Sequence, residues 1–248
     1  MKLTTFSLLA LMASAGASAQ ETDAAPASTE AVQVVEVSGV KNPELKPYRQ
    51  MLKGLDAFEK LHSLAPAAPL KFQLVSDTRK IAFDTVTLKL SGKNTDVPLP
   101  VAGDGTFILP RLPGAAEDNA ELVSNKSKGV LRWRGDIHTP GVPDNARRLG
   151  DLRLECEIGW AVNREDMPFL TRNSLSAIGG MCRSKMVGLR YQAPRPLANV
   201  AFVSGERKLN LRIDPANKRV YYPLLADSSW NDDTLIVYEF EDVVAANP

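Results

Sequence analysis

The chain has 248 residues, with 30 Lys+Arg against 29 Asp+Glu and a formal net charge of +1. It therefore lacks the basic excess that nucleic acid rewards, and the same balance argues against binding driven by an anionic membrane surface. With only His62 and His138 available, a three-histidine zinc site is excluded.

Lys2, an apolar run over residues 6–12 and Ala17-Ser18-Ala19 form, in order, the three parts of a secretory signal. The run is too short to span a bilayer. Residues 1–19 are expected to be removed, and losing Lys2 lowers the basic count from 30 to 29, level with the 29 acids. No cysteine sits near the cleavage site to carry a lipid, and no paired arginines precede the apolar run, so the general secretion route is expected. No later segment is long and uncharged enough for a membrane helix, so the mature chain is expected to have no transmembrane segment and to work in the periplasm or outside the cell.

Residues 20–31 are small, polar and interrupted by Pro26, which predicts a disordered linker. An N-terminal strand and helix should occupy 32–66. Residues 32–39 alternate weakly, as in a strand. Asn42-Pro43-Glu44 then has the cap, first-turn proline and early acid of a helix start. Leu45, Tyr48, Met51, Leu52, Leu55, Phe58 and Leu61 fall on one helical stripe, expected to pack on a sheet. Gly54 weakens this helix, and Pro66 and Pro69 end it.

A first β-rich lobe is expected over 67–138. "KFQLVS" opens it and "IAFDTVTLKLSG" follows, with Ile81 and Phe83 out of phase with Val86, Leu88 and Leu90. A bend near Asp84 would bring both sets to one face. "VPLPV" and "TFILP" read as a strand pair turned by Gly103-Asp104-Gly105, then "AELVS" and "GVLRWRGDI" follow. The proline- and glycine-rich "HTPGVPDNARRLG" predicts a long loop or lobe boundary.

A second β-rich lobe is expected over 148–248. Leu152, Leu154, Cys156 and Ile158 alternate in "DLRLECEIGW" and predict a strand; a short helix is expected within "REDMPFLTRNSLSAIGG". "NVAFVS", "KLNLRI", "RVYYPLL" and "TLIVYEF" complete the strands, with "DPANK" as a hairpin turn. The fold class is mainly β: an antiparallel β-sandwich or two small β lobes with one N-terminal amphipathic helix.

Cys156 and Cys182 are the two cysteines of an exported chain and are expected to pair. Closing their 26-residue separation would stabilise the fold by about 3 to 4 kcal/mol on a chain-entropy basis. A metal pair or a catalytic thiol is the rival reading, but neither histidine lies near either cysteine in sequence.

The stretch "VTLKLSG…VPLPVAGDGTFILPRLPG", with Asp104, Gly105, Phe107, Leu109, Leu112, Pro113 and Gly114, resembles the carboxypeptidase-regulatory-like, transthyretin-like β-sandwich modules. The likeness covers residues 71–124, about a fifth of the chain, and departs where Ala115-Ala116-Glu117 stands in place of the usual tyrosine. It implies a non-catalytic sandwich and no particular ligand.

Standard catalytic spacings are missing. No Gly-x-Ser-x-Gly and no His-Glu-x-x-His occur. Calcium and phosphate loops need ligand or glycine spacings that Gly103-Asp104-Gly105 lacks. Arg134-Gly135-Asp136 matches an integrin tripeptide by letters alone. His138 beside Asp136 could serve a triad, but reads more simply as a loop histidine before Pro140. "ADSSWNDDT" combines Trp230 with Asp227, Asp232 and Asp233 and is the best candidate ligand loop, an aromatic beside acids being able to stack on a sugar or hold a cation. Its simpler reading is a polar turn with Trp230 folded onto the sheet. No metal or cofactor is expected.

The reading that follows is an exported, non-catalytic β-sandwich protein of the cell envelope that binds an envelope protein or glycan or serves as a structural partner. Two alternatives stand beside it. One is a secreted hydrolase with a carboxylate-based site; the other is an assembly or chaperone-like factor that lends a strand edge or its N-terminal helix. Export predicts that protein recovered from the periplasm or medium has an intact mass lacking residues 1–19; a mass that includes them would refute cleavage after Ala19.

Overall fold

The computed structural model describes residues 40–76 and 80–242. The expected signal, the 20–31 linker and the strand over 32–39 lie outside them. In chain order the elements are β1 (Pro43–Pro47), α1 (Tyr48–Leu61), β2 (Leu70–Val75), β3 (Leu88–Ser91), β4 (Asp96–Pro98), β5 (Thr106–Phe107), α2 (Pro113–Glu117), β6 (Glu121–Ser127), β7 (Arg132–Ile137) and β8 (Ala146–Arg148). There follow α3 (Leu149–Asn163), α4 (Phe169–Ala177), β9 (Tyr191–Gln192), β10 (Leu197–Ser204), β11 (Arg207–Asn210), β12 (Arg212–Asp214), β13 (Asn217–Tyr222) and β14 (Leu235–Phe240). Among the described residues, 14 strands form four antiparallel sheets, ordered β1-β6-β3-β4, β5-β2-β7, β11-β10-β14-β8 and β12-β13-β9. The mainly β class read from the sequence is the class observed.

The first two sheets share one core. Phe72 and Leu74 of β2, Leu88 and Leu90 of β3, Leu122 of β6 and Trp133 of β7 belong to a single buried cluster. The phase break before β3 is taken up by a 3-10 turn over Phe83–Thr85, after which Ile81 and Phe83 pack against the same cluster as Leu88 and Leu90. The other two sheets supply a second cluster that includes Val200 and Phe202 of β10, Tyr221 of β13, and Ile236 and Tyr238 of β14.

The helix stripe is real, but it starts later than Asn42-Pro43-Glu44 suggests. Pro43–Pro47 is a strand, paired with β6 through Leu45↔Val123 and Lys46↔Leu122. Pro47 is the reason: the residue before a proline is pushed out of the helical region, so Lys46 stays extended and the helix opens at Tyr48. Tyr48 and Met51 are fully buried, and Leu52, Leu55, Phe58 and Leu61 lean on the first cluster. Tyr48 Oη donates to Pro110 O and accepts from Leu112 N, each at 2.7 Å, which ties the helix to the stretch before α2.

The turn at 102–105 forms as read. Gly105 has φ +83° and its N–H donates to Ala102 O at 2.8 Å, while Asp104 Oδ1 accepts from Thr106 N at 2.9 Å. The flanking strands do not pair with each other, however. β4 pairs with β3 and β5 with β2. Pro98 and Pro100 lack the N–H groups a hairpin ladder would need, so the chain changes sheets before it turns.

The largest difference from expectation is "DLRLECEIGW" (151–160), read as a strand and found inside the helix Leu149–Asn163. At 100° per residue, Leu154, Ile158 and Val162 fall on one face and enter the first cluster. Leu149, Leu152 and Cys156 fall on the opposite face and enter the second. A helix that needs apolar residues on both faces shows Leu152, Leu154, Cys156 and Ile158 at alternate positions, which imitates a strand over a short window. The helix is wedged between two cores, and tertiary packing rather than amphipathicity holds it.

Gly54 sits where α1 crosses α3. A Cβ placed there would stand 2.6 Å from Val162 Cγ2 and 3.2 Å from the Phe72 ring. Helix propensity alone favours alanine by about 1 kcal/mol, but overpacking costs about 1 to 3 kcal/mol. Gly54→Ala should therefore lower stability in urea unfolding, and the loss should shrink in a Val162→Ala background. Stabilisation by Gly54→Ala alone would refute the close crossing.

Candidate functional site

The stretch singled out around Trp230 closes the second core. Trp230 is 2% exposed. Its ring meets Phe202 edge-on at 5.3 Å, and the Arg207 guanidinium lies 3.7 Å above it. Of the two readings of this loop, the simpler is the one observed, with Trp230 folded onto the sheet: β10 and Arg207 cover the ring. The sequence left both readings open, because a Trp in a polar turn reads alike whether it faces in or out.

Each of the three acids has a partner. Arg153, on α3, donates to Asp232 Oδ1 at 2.6 Å and also to the carbonyls of Leu225, Asp227 and Trp230. Arg148 donates to Asp233 Oδ1 at 2.7 Å. Asp227 Oδ1 accepts from Ser229 N at 3.0 Å, and hydrogen bonds from the Ser229 backbone and side chain hold its carboxyl below the usual range. Trp230 and Asp232 line an open depression of about 440 Å³ together with Leu61, Arg153, Glu157 and Arg183. Glu157 accepts from Arg183 Nε at 2.7 Å. Asp227 instead lines a second depression of about 220 Å³ beside Lys185 and Leu224.

Asp136 and His138 do meet, with His138 Nδ1 3.3 Å from Asp136 Oδ1. Glu155, which the sequence reading missed because it read α3 as a strand, joins them. Ligand atoms of Asp136, His138 and Glu155 all lie within 4.8 Å of one another, so these are the groups that could hold a metal among the described residues. The position of a cation is already taken by Arg147, which donates to Glu155 Oε1 at 2.7 Å, while Ile137 N donates to the same oxygen at 2.9 Å. One turn earlier on α3, Asp151 accepts from Thr139 N at 2.8 Å and from Thr139 Oγ1 at 2.6 Å. The two carboxylates pin the chain leaving β7 to α3. Burial pushes the Asp136 carboxyl up, but the His138 hydrogen bond and the charges of His138, Arg147 and Arg134 outweigh it and hold it below the usual range.

Cys156 and Cys182 are bonded, with Cα atoms 5.8 Å apart. The bridge closes the excursion that leaves α3, carries α4 and returns. Lys46, itself buried, anchors the start of this excursion through Asp166 at 2.5 Å and Asn163 at 3.0 Å. None of the residues of α4 is buried. Phe169 is 65% exposed, Leu170 77%, Ile178 39% and, just past the bridge, Met186 84%. The sequence reading placed the helix, but its periodicity held no signal of how far it stands from the core.

No protein-family model, curated protein or solved structure matches the chain.

If Trp230 plugs the core, Trp230→Ala should cost about 3 to 5 kcal/mol of stability. Urea unfolding with matched m-values checks this, and a change under about 1 kcal/mol, typical of surface sites, would show that the ring is not a core element.

Proposed function

We propose that this chain is an exported, non-catalytic protein of the cell envelope that acts by binding, and that its binding element is the disulfide-closed excursion carrying α4. The observation that carries this reading is a covalently closed segment whose helix has no fully buried residue and turns Phe169 and Leu170 to water. A Phe or Leu side chain gains about 1.5 to 3 kcal/mol when it leaves water, so a chain that holds two of them outward on a braced helix is poised for a partner. Grouped exposed apolar residues mark interaction surfaces.

Other features support the reading. A disulfide suits an oxidising compartment, and among the described residues no helix is long and apolar enough to cross a membrane. The resemblance of 71–124 to non-catalytic sandwich modules points the same way. A carboxylate-based hydrolase needs unencumbered acids facing one cavity, whereas Asp232 and Glu157, which share the larger depression near Trp230, are each paired with an arginine.

A photo-crosslinking residue placed at Leu170 in the cell should trap an envelope component. The same residue at Ile108, also exposed at 69% but far from α4 in sequence, serves as control. Adducts at 170 and not at 108 are the expected result; no adduct at 170 would overturn the assignment of the binding element.

A further inference from the structure

We infer that the component met by this excursion is an anionic lipid surface; the inference rests on the binding reading above and names its partner. The segment 167–190, "MPFLTRNSLSAIGGMCRSKMVGLR", is 190 − 167 + 1 = 24 residues long. It contains no Asp or Glu and four cations, Arg172, Arg183, Lys185 and Arg190. The chain as a whole balances 30 basic against 29 acidic residues, so its near-neutral total conceals a local segregation of charge. Four of the eight large hydrophobic residues exposed among the described residues, Phe169, Leu170, Ile178 and Met186, belong to the same segment.

The acids around the segment are occupied. Glu165 and Asp166, just before it, bond Lys53 and Lys46. Glu157 takes Arg183 at 2.7 Å and Asp214 lies 3.5 Å from Arg190, yet those two arginine side chains remain 63% and 62% exposed. Arg172 lies 5.7 Å from the Phe169 ring centroid, placing a cation beside an outward aromatic. Cations interspersed along the segment with outward apolar residues suit a headgroup layer: the apolar tips enter the acyl boundary while the cations meet the lipid phosphates.

The order of residues favours lipid over a protein groove. A helix that fills a groove presents apolar anchors at i, i+3 or i+4, and i+7. From Phe169, those positions on α4 hold Arg172, Asn173 and Ser176. The two largest outward residues are instead adjacent, Phe169 and Leu170, and sit at one end of the helix as a wedge. A fluid interface accepts such a wedge without requiring a complementary pocket.

The test is co-flotation of the oxidised mature protein with vesicles of phosphatidylcholine alone or of phosphatidylcholine with about one third phosphatidylglycerol. The anionic vesicles should recover roughly tenfold more protein, and about 0.5 M salt should abolish the difference by screening. The double variant Phe169→Ser with Leu170→Ser should keep the wild-type melting temperature, since both side chains are exposed, and should lose flotation. Arg172→Gln with Lys185→Gln should lose the preference for anionic vesicles. Absence of flotation with both vesicle types, or undiminished flotation of the Phe169/Leu170 variant, would overturn the inference. A protein adduct at position 170 without flotation would overturn the lipid partner and leave the binding reading standing, whereas loss of both signals would remove both.

Discussion

A helix with apolar side chains on two opposite faces cannot rest on a single sheet, and α3 is such a helix. Leu154, Ile158 and Val162 need the first core, while Leu149, Leu152 and Cys156 need the second. Satisfying both requires the sheets of β2 and β3 on one side and those of β10 and β13 on the other. α1 must also approach closely enough to demand a glycine at position 54. The four short sheets, the longest strand among them only eight residues, are thus organised around one buried helix rather than stacked on one another alone.

Burying a helix this fully brings polar groups inside, and each has to be satisfied. Asp151 and Glu155 answer by holding the chain that leaves β7. Arg147 completes the Glu155 pair and also donates to Ile137 O at 2.7 Å. Arg148 reaches the carbonyl of Leu64 in the turn just past α1, and Arg153 binds the loop carbonyls of Leu225, Asp227 and Trp230. The value of these contacts is mainly in what their loss would expose: a buried charge without its partner costs more than the pair contributes. They make the loops around α3 part of the scaffold, and a scaffold loop is a poor place for an adaptable ligand site.

This arrangement explains why the acids most suggestive of chemistry are structural in geometry. Asp232 and Asp233 serve arginines of β8 and α3, Asp227 caps its own turn, and Trp230 seals the second core. What the scaffold leaves outside is most of the stretch after α3 that the Cys156–Cys182 bridge closes, with the residues just past it. There the bridge supplements burial: the segment is held by a covalent bond and by the Lys46 and Lys53 pairs at its start, so Phe169 and Leu170 are released from packing duties.

Much of this was legible in the one-dimensional pattern, wherever the cause is local. The turn at Gly103-Asp104-Gly105 follows from positive φ and an Asp side chain two residues from its target. The bend near Asp84 follows from a change of phase, the α1 stripe from its 3.6-residue repeat, and the pairing of Cys156 with Cys182 from there being no other cysteine. Other features depend on what lies across the fold. Alternation in "DLRLECEIGW" describes a strand with one buried face and a helix with two equally well, and only the presence of two cores decides between them. Asn42-Pro43-Glu44 has every local mark of a helix start, but Pro47 and the open edge of β6 draw it into a sheet. The inward Trp230, the paired acids beside it and the outward Phe169 and Leu170 are matters of burial, which arises from contacts between residues far apart in the chain. By itself the sequence determined the turns, the α1 stripe, the cysteine pair and the predominance of strands, because these arise from neighbours along the chain. Only the tertiary structure decided which faces are covered, and therefore which residues are free to bind, because covering a face takes a second element from elsewhere in the chain.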